Sequence, residues 1–233
     1  MTIDAAEKPA VVRRMFARIS GRYDLMNTLM TLGRDRAWRR LTARIARQGG
    51  GTLALDVASG TGDLTIALAE AGFELAIGAD FTPEMVAEAV RKMPTAVRVR
   101  HLVADGLRLP FADNTFDAVT TGYALRNFAS IPAALAEMAR VLRPGGVMAH
   151  LELTRPTWPP MGLLFRPYLG WLVPALGQLV TGDRPAYAYL PRSLATHPLP
   201  AEIAAMMRAA GVEPNPPRYL ALGAVAIHSG VKR

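Results

Sequence analysis

The 233-residue chain has no cysteine. Disulfides, thiolate-bound metals and thiol nucleophiles are therefore excluded, and a reducing compartment such as the cytoplasm is compatible with the sequence. Long apolar runs are missing too. No stretch offers the roughly 18 charge-free apolar residues that a membrane-spanning helix needs. The segment Met1–Pro9 carries Asp4 and Glu7 without an apolar run, so no secretory leader is expected. With 51% hydrophobic and 20% charged residues, the composition is that of a folded globular chain rather than a disordered one. This length fills one core, so a single domain over residues 1–233 is expected.

What charge there is lies unevenly. Between Arg13 and Arg47 ten arginines face only Asp24 and Asp35, which accounts for the whole formal charge of +8. Such an arm suits an anionic surface, either phospholipid headgroups or nucleic acid, and equally a solvated helix face.

Strand-like runs at Thr52–Val57, Glu74–Asp80, Val97–Val103, Phe116–Gly122 and Gly146–Leu153 alternate with helical segments at Asp63–Ala71, Pro83–Met93 and Pro132–Leu142. The last helix should stop in Arg143-Pro144-Gly145-Gly146, because proline and paired glycines cannot continue it. This alternation implies parallel strands joined by crossover helices, an α/β doubly wound Rossmann-like sheet. Near the C-terminus a helix at Ala201–Ala210 precedes two short runs, Tyr219–Leu222 and Val225–His228, expected to form an antiparallel hairpin on the sheet edge. Two segments fall outside this pattern. Residues 9–47 read as a helical arm, with one helix from Asp35 towards Arg47, and residues 154–199 form an insertion with eight prolines, expected to be a lid.

The first strand runs into Asp56-Val57-Ala58-Ser59-Gly60-Thr61-Gly62-Asp63. Glycines here let a ligand approach the backbone, and the following helix offers free N–H groups. A dinucleotide site would want a third small residue three places after Gly62, where Thr65 stands. Asp63 at the helix start would repel a pyrophosphate but can accept from the ammonium of an amino-acid tail. Asp80 closes the second strand, where a carboxylate can accept both hydroxyls of a ribose. Asp105 follows the third strand beside Gly106 and is placed to meet an adenine amino group. Acids at the ends of successive strands form a nucleoside site, and the amino-acid tail points to S-adenosylmethionine.

Further blocks carry a resemblance. Tyr23-Asp24-Leu25-Met26-Asn27, Gly33-Arg34-Asp35-Arg36-Ala37-Trp38-Arg39, Ala124-Leu125-Arg126-Asn127 and Arg140-Val141-Leu142-Arg143-Pro144-Gly145-Gly146 are similar to the menaquinone and ubiquinone C-methyltransferase family. Tyr187-Ala188-Tyr189-Leu190 extends the likeness into the insertion, and Asp35 and His150 depart from the family's usual residues. By position the resemblance carries Thr61, Asp80, Asp105, Gly106 and Gly122 over as cofactor contacts. It implies that the acceptor is a prenylated naphthoquinol, demethylmenaquinol, met at the inner face of the cell membrane.

Methylating a ring carbon needs an electron-rich arene, which a hydroquinone becomes once a hydroxyl ionises. A sulfonium is already electrophilic, so no metal is called for; the protein must supply geometry and a partner for the phenolate. Arg126 is the candidate for that partner, Asn127 for orienting a hydroxyl, and Tyr23 for closing over the site with Asp24 and Asn27. His150 falls within a core strand and is expected to be a satisfied structural histidine. Glu152 ends that strand and can face the pocket. The apolar insertion suits an isoprenoid tail and contact with a bilayer. Three rivals stand beside this: a methyltransferase acting on another lipophile, one acting on nucleic acid, and a non-catalytic module of the same fold. The nucleic-acid reading lacks the Asn/Asp-Pro-Pro-aromatic block after the fourth strand; Thr121-Gly122-Tyr123 stands there instead, so no nucleic-acid partner is expected. A homo-oligomer is compatible with the sequence.

Overall fold

Strand and helix alternate as the apolar pattern requires in the computed structural model, which describes residues 7–96, 98–156 and 159–233. Asp4 and the expected strand start at Val97 lie outside those residues. The central strands are β1 (Leu53–Val57), β2 (Leu75–Asp80), β3 (Val99–Val103), β4 (Phe116–Gly122) and β5 (Leu142–Leu153). They run parallel in the order β3-β2-β1-β4-β5. The helices between them are α4 (Asp63–Glu70), α5 (Pro83–Arg91) and α6 (Ile131–Val141), after three N-terminal helices, α1 (Lys8–Ile19), α2 (Tyr23–Thr31) and α3 (Arg34–Arg47).

Strands buried on both faces need apolar side chains in both directions. Leu55, Val57, Val119 and Met148 pack towards α6 and towards the helix Pro200–Ala209 near the C-terminus, while Ala54, Ala118 and Ala149 pack towards α3 and α4. Small residues on the second face let those helices lie close. Strand order reverses between β1 and β4, which leaves a crevice outside their carboxyl ends.

Three expectations need adjustment. The helix ahead of β5 ends at Val141, before the Pro-Gly-Gly run, and Leu142 already pairs with Phe116. The Pro-Gly-Gly turn instead sits where the β4–β5 register shifts, before Val147 pairs with Ala118. The C-terminal hairpin exists, as β7 (Arg218–Leu220) against β8 (Val225–Lys232), but β8 is interior to the sheet. It pairs antiparallel with β5 along its length, and the edge falls to β6 (Val212–Pro214), a three-residue strand too short to show in an alternation pattern.

The insertion folds as α7 (Pro159–Pro167), a wide turn at Tyr168–Leu172, α8 (Val173–Thr181) and α9 (Arg184–Ala195), and the helix Pro200–Ala209 is α10. Pro174 and Pro185 stand in first turns, where the missing N–H is not needed, whereas Pro191 lies inside α9 and Pro167 ends α7. The residues Pro160–Thr181 are long and apolar enough to cross a membrane, at a mean hydropathy of 1.2, although Arg166 interrupts them. They lie on the protein instead. The Tyr168 hydroxyl donates to the Met30 carbonyl of α2, and Gly177 of α8 lies so close to Tyr187 of α9 that a Cβ would meet its ring at 2.2 Å.

Candidate active site

The chain leaves β1 through three left-handed residues, Ala58, Gly60 and Gly62, and the helix α4 starts at once. Gly62 has φ +83°, and a Cβ on it would meet the His101 ring at 2.7 Å, so glycine is required twice over. Space lies open where a Cβ on Gly60 would be, so a ligand can press against this backbone. Beside it Asp80 ends β2. Its Oδ2 accepts from Gly60 N and its Oδ1 from Thr82 N, both at 2.8 Å, which fixes the carboxylate while leaving lone pairs on both oxygens. Burial raises the Asp80 pKa, and the two backbone N–H groups oppose that rise.

Asp80, Gly60, Asp105, Gly106 and Gly122 line one cavity at the crevice, so five of the residues expected to hold the cofactor come together. A Cβ on Gly106 would strike Phe128 and Val57 at 2.7 and 2.8 Å, so the backbone is drawn in behind the site. The lining fits S-adenosylmethionine: carboxylates that can accept from ribose hydroxyls and an adenine amino group, a glycine turn, and residues shared with a second chamber.

The other three expected contacts are not on this wall. Asp56 lies beneath the turn, accepting from Thr65 and Thr120 hydroxyls at 2.9 and 3.1 Å, and desolvation pushes its pKa up to about 7. Gly62 faces His101. The Thr61 hydroxyl donates to Asp24 Oδ1 at 2.5 Å, and Lys92 bridges Asp24 and Asp63. Asp63, expected to meet an amino-acid ammonium, is thus turned to Lys92 and to Arg39, 4.0 Å away. The arm roofs the cofactor cavity, through Tyr23 as expected and also through Val12, Arg13 and Phe16, which the sequence did not mark.

A second cavity of about 780 Å³ lies between the arm and the insertion. Its wall is mostly apolar, with leucine the commonest residue, and Arg34, Arg126, Asp35, Asn27 and five tyrosines, Tyr123 and Tyr187 among them, are set into it. Phe16, Tyr23 and Tyr123 line both cavities, so the two meet there. Tyr123 follows β4 with φ +59°, a costly conformation for an aromatic residue and one common at functional sites. The Arg39 guanidinium lies 5.4 Å from its ring centroid, and burial raises the phenol's pKa. Nothing in the one-dimensional pattern marks Tyr123 apart from its place at the strand end.

Arg126 is buried and binds the Tyr123 carbonyl at 2.6 Å and Glu152 Oε1 at 2.5 Å through Nη1. Its Nε is buried without a partner, as are Asn27 Nδ2, Glu152 Oε2 and the hydroxyls of Tyr123, Tyr187 and Tyr189. Buried polar atoms are normally satisfied, so such a concentration marks a place for a polar ligand. Asn127, the neighbour of Arg126, lines the cofactor cavity and not the second one. His150 is buried, but it is not satisfied: both ring nitrogens lack partners, and burial beside His228 lowers its pKa to about 3.

A cofactor cavity at the switch point of a doubly wound sheet, meeting a largely apolar chamber at three aromatic residues, is the arrangement of an S-adenosylmethionine-dependent methyltransferase. Solved structures share the fold: a methyltransferase complexed with its Trm112 activator from Haloferax volcanii has a TM-score of 0.65 at 20% identity, covering 93% of this chain and 96% of that one. Magnesium protoporphyrin IX methyltransferase from Synechocystis, with S-adenosylhomocysteine bound, gives 0.60 at 19% identity, covering 87% and 84%. The chain belongs to the ubiE/COQ5 methyltransferase family, whose model matches residues 3–232. Among its relatives, the demethylmenaquinone methyltransferase of Thermus thermophilus is 45% identical over 93% of this chain and 99% of its own. That of Roseiflexus castenholzii is 43% identical over 97% and 95%.

Proposed function

We propose that the protein transfers the methyl group of S-adenosylmethionine to a ring carbon of a prenylated naphthoquinol, turning demethylmenaquinol into menaquinol. The observation that carries this reading is the second cavity. It is apolar enough for an isoprenoid tail, yet several partnerless polar atoms gather around Arg126, where a diol head can satisfy them. The names of the relatives support the same acceptor.

When bound, the cofactor supplies an electrophilic methyl group. Asp80 holds the ribose hydroxyls, Asp105 meets the adenine amino group, and Gly60, Gly106 and Gly122 keep the wall thin; Asp56, Thr61 and Gly62 support the turn from behind. Arg126 lines the acceptor cavity, and its guanidinium stabilises the oxygen as it becomes a phenolate. Tyr23 borders both chambers and closes them against water, while Asn127 acts from the cofactor side. The roof shared by the two cavities keeps the acceptor carbon near the methyl group, which is most of what such a transfer asks of a protein.

The same reading puts the protein at the inner face of the cell membrane, drawn there by its basic arm. The structure engages several of these arginines, of which Arg18 and Arg39 face acids while the others keep their charge. Arg13 lies over Phe81, Arg47 over Phe73, Arg18 pairs with Asp183, Arg22 bonds the Val180 carbonyl and Arg39 is buried. Arg14 and Arg34 are exposed too, and Arg36, Arg40 and Arg44 are exposed at four-residue spacing along α3.

Quinone profiling of cells lacking the protein tests the acceptor. Demethylated menaquinone should accumulate and disappear on complementation; an unchanged quinone pool would reject the reading.

A further inference from the structure

Two leucines at the mouth of the second cavity are held in a way that works against stability. Leu32 caps α2 with φ +53° and is 88% exposed, and Leu222, before β8, has φ +54° and is 67% exposed. A left-handed backbone is costly for leucine, and turning the side chain into water adds to the cost, so two instances on one rim call for an explanation outside the fold.

The insertion supplies the rest of the same surface. Along α7, the wide turn and α8, the exposed residues Leu163, Leu164, Trp171, Leu172 and Leu179 recur every seven or eight positions. That spacing is one stripe of a helix, and the opposite stripe, with Leu169, Val173 and Gly177, is buried. Leu164 and Leu172 reach the cavity wall, as do Leu32 and Leu222, so the stripe is continuous with the mouth. Exposed Arg34 lines the cavity and exposed Arg166 stands on α7 beside the stripe, while the one acid of the cavity wall, Asp35, is buried.

We infer that this rim is the membrane-docking face, and that it opens the acceptor chamber directly into the acyl layer of an anionic bilayer. The inference rests on the reading of the second cavity as a chamber for a lipid-borne acceptor. A bilayer fits better than a second copy of the chain: a protein seated on the rim would seal the chamber it surrounds, and a symmetric pairing would bring arginine-bordered rims together. Leucines and a tryptophan facing hydrocarbon, with arginines at headgroup level, are the composition of an interfacial helix lying in the membrane plane. The contact is therefore made by the cavity mouth, and the arginine stripe of α3 has a steering role.

Flotation of the full chain with vesicles of phosphatidylcholine, alone or mixed equally with phosphatidylglycerol, tests this. The wild type should float with both and more completely with the anionic mixture. A Leu163→Ser, Trp171→Ser double variant, altered outside the cavity, should bind at least tenfold more weakly. It should also turn over a long-tailed quinol in vesicles more slowly, while a tail-less dihydroxynaphthalene in solution is methylated at the wild-type rate. Leu32→Asn and Leu222→Asn should weaken flotation without lowering the melting temperature, because asparagine tolerates the left-handed conformation. Undiminished flotation in these variants would overturn the proposal. So would a wild-type dimer that the variants dissociate and that ignores vesicles. Flotation as expected, with neither acceptor methylated by the wild type, would support the docking face and remove the proposed acceptor.

Discussion

The buried pair of Arg126 and Glu152 permits a test that separates holding the fold from assisting the reaction. Their side chains are 8% and 1% exposed and meet at 2.5 Å. Arg126→Met alone strands Glu152 in the interior and should cost about 3–5 kcal/mol of stability. Losing the bond to the Tyr123 carbonyl should add about 1 kcal/mol. Turnover should fall by roughly 10²–10³, the size of effect seen when one donor to a developing oxyanion is removed. The single variant cannot say which loss matters. Glu152→Met added to Arg126→Met removes both charges and should recover most of the stability, since a buried ion pair is often replaced by apolar residues at little cost. Urea denaturation with initial rates at saturating S-adenosylmethionine, over both single variants and the double one, gives the full cycle. Stability that returns while turnover stays low is the expected outcome. Turnover returning with stability would show that Arg126 only holds the loop after β4, and the phenolate role would be wrong.

Asp80→Ala should weaken S-adenosylmethionine binding tenfold or more in calorimetry, because it removes acceptors worth about 1.5–3 kcal/mol each; unchanged affinity in the folded variant would end the ribose assignment. The buried imidazoles make stability acid-sensitive. His150 and His228 titrate at about 3 and 4 in the folded chain against 6.5 when free, both through burial, and His197 is lowered by burial too. On the imidazoles alone, unfolding takes up protons once the pH falls below about 6.5 and stability is lost towards pH 4, by up to about 1.4 kcal/mol per pH unit for each, while Asp56, raised to about 7 by burial, opposes one of them over the same window. Denaturation midpoints across this window should show the net slope, and replacing His150 and His228 together by leucine should make stability fall less steeply with acid, His101, lowered to about 4, and Asp56 keeping their own contributions; an unchanged slope would mean that these rings are solvated.

The central sheet was legible because each strand of an α/β fold carries its own signal. β1, β2, β4 and the helices α4, α5 and α6 fall within two residues of their expected bounds. The C-terminal strands were harder, since Val225–Lys232 reads as a hairpin arm until its pairing with β5 is seen. Asp80, Asp105 and Gly122 could be placed in the crevice because topology brings strand ends together. Asp56 and Thr61 lie near them in sequence, yet one points beneath the turn and the other to the arm, a difference of side-chain direction that spacing does not encode. Tyr123, Phe16 and Val12 escaped notice for a related reason: their importance comes from contacts between segments about a hundred residues apart.

One roof over two rooms has a kinetic consequence. Phe16 and Tyr23 belong to both chambers, and Asp24 ties that roof to Thr61 and Lys92 beside the cofactor. Lifting it to exchange spent cofactor also dismantles the wall against which the acceptor rests. The two reactants then cannot come and go independently, and the lines of double-reciprocal initial-rate plots, with each varied against the other, should intersect left of the ordinate and off the abscissa. Intersection on the abscissa would mean independent sites and a roof that stays down. On this view the slow motion in each cycle belongs to α1 and α2, and the surroundings of the reacting carbon stay still.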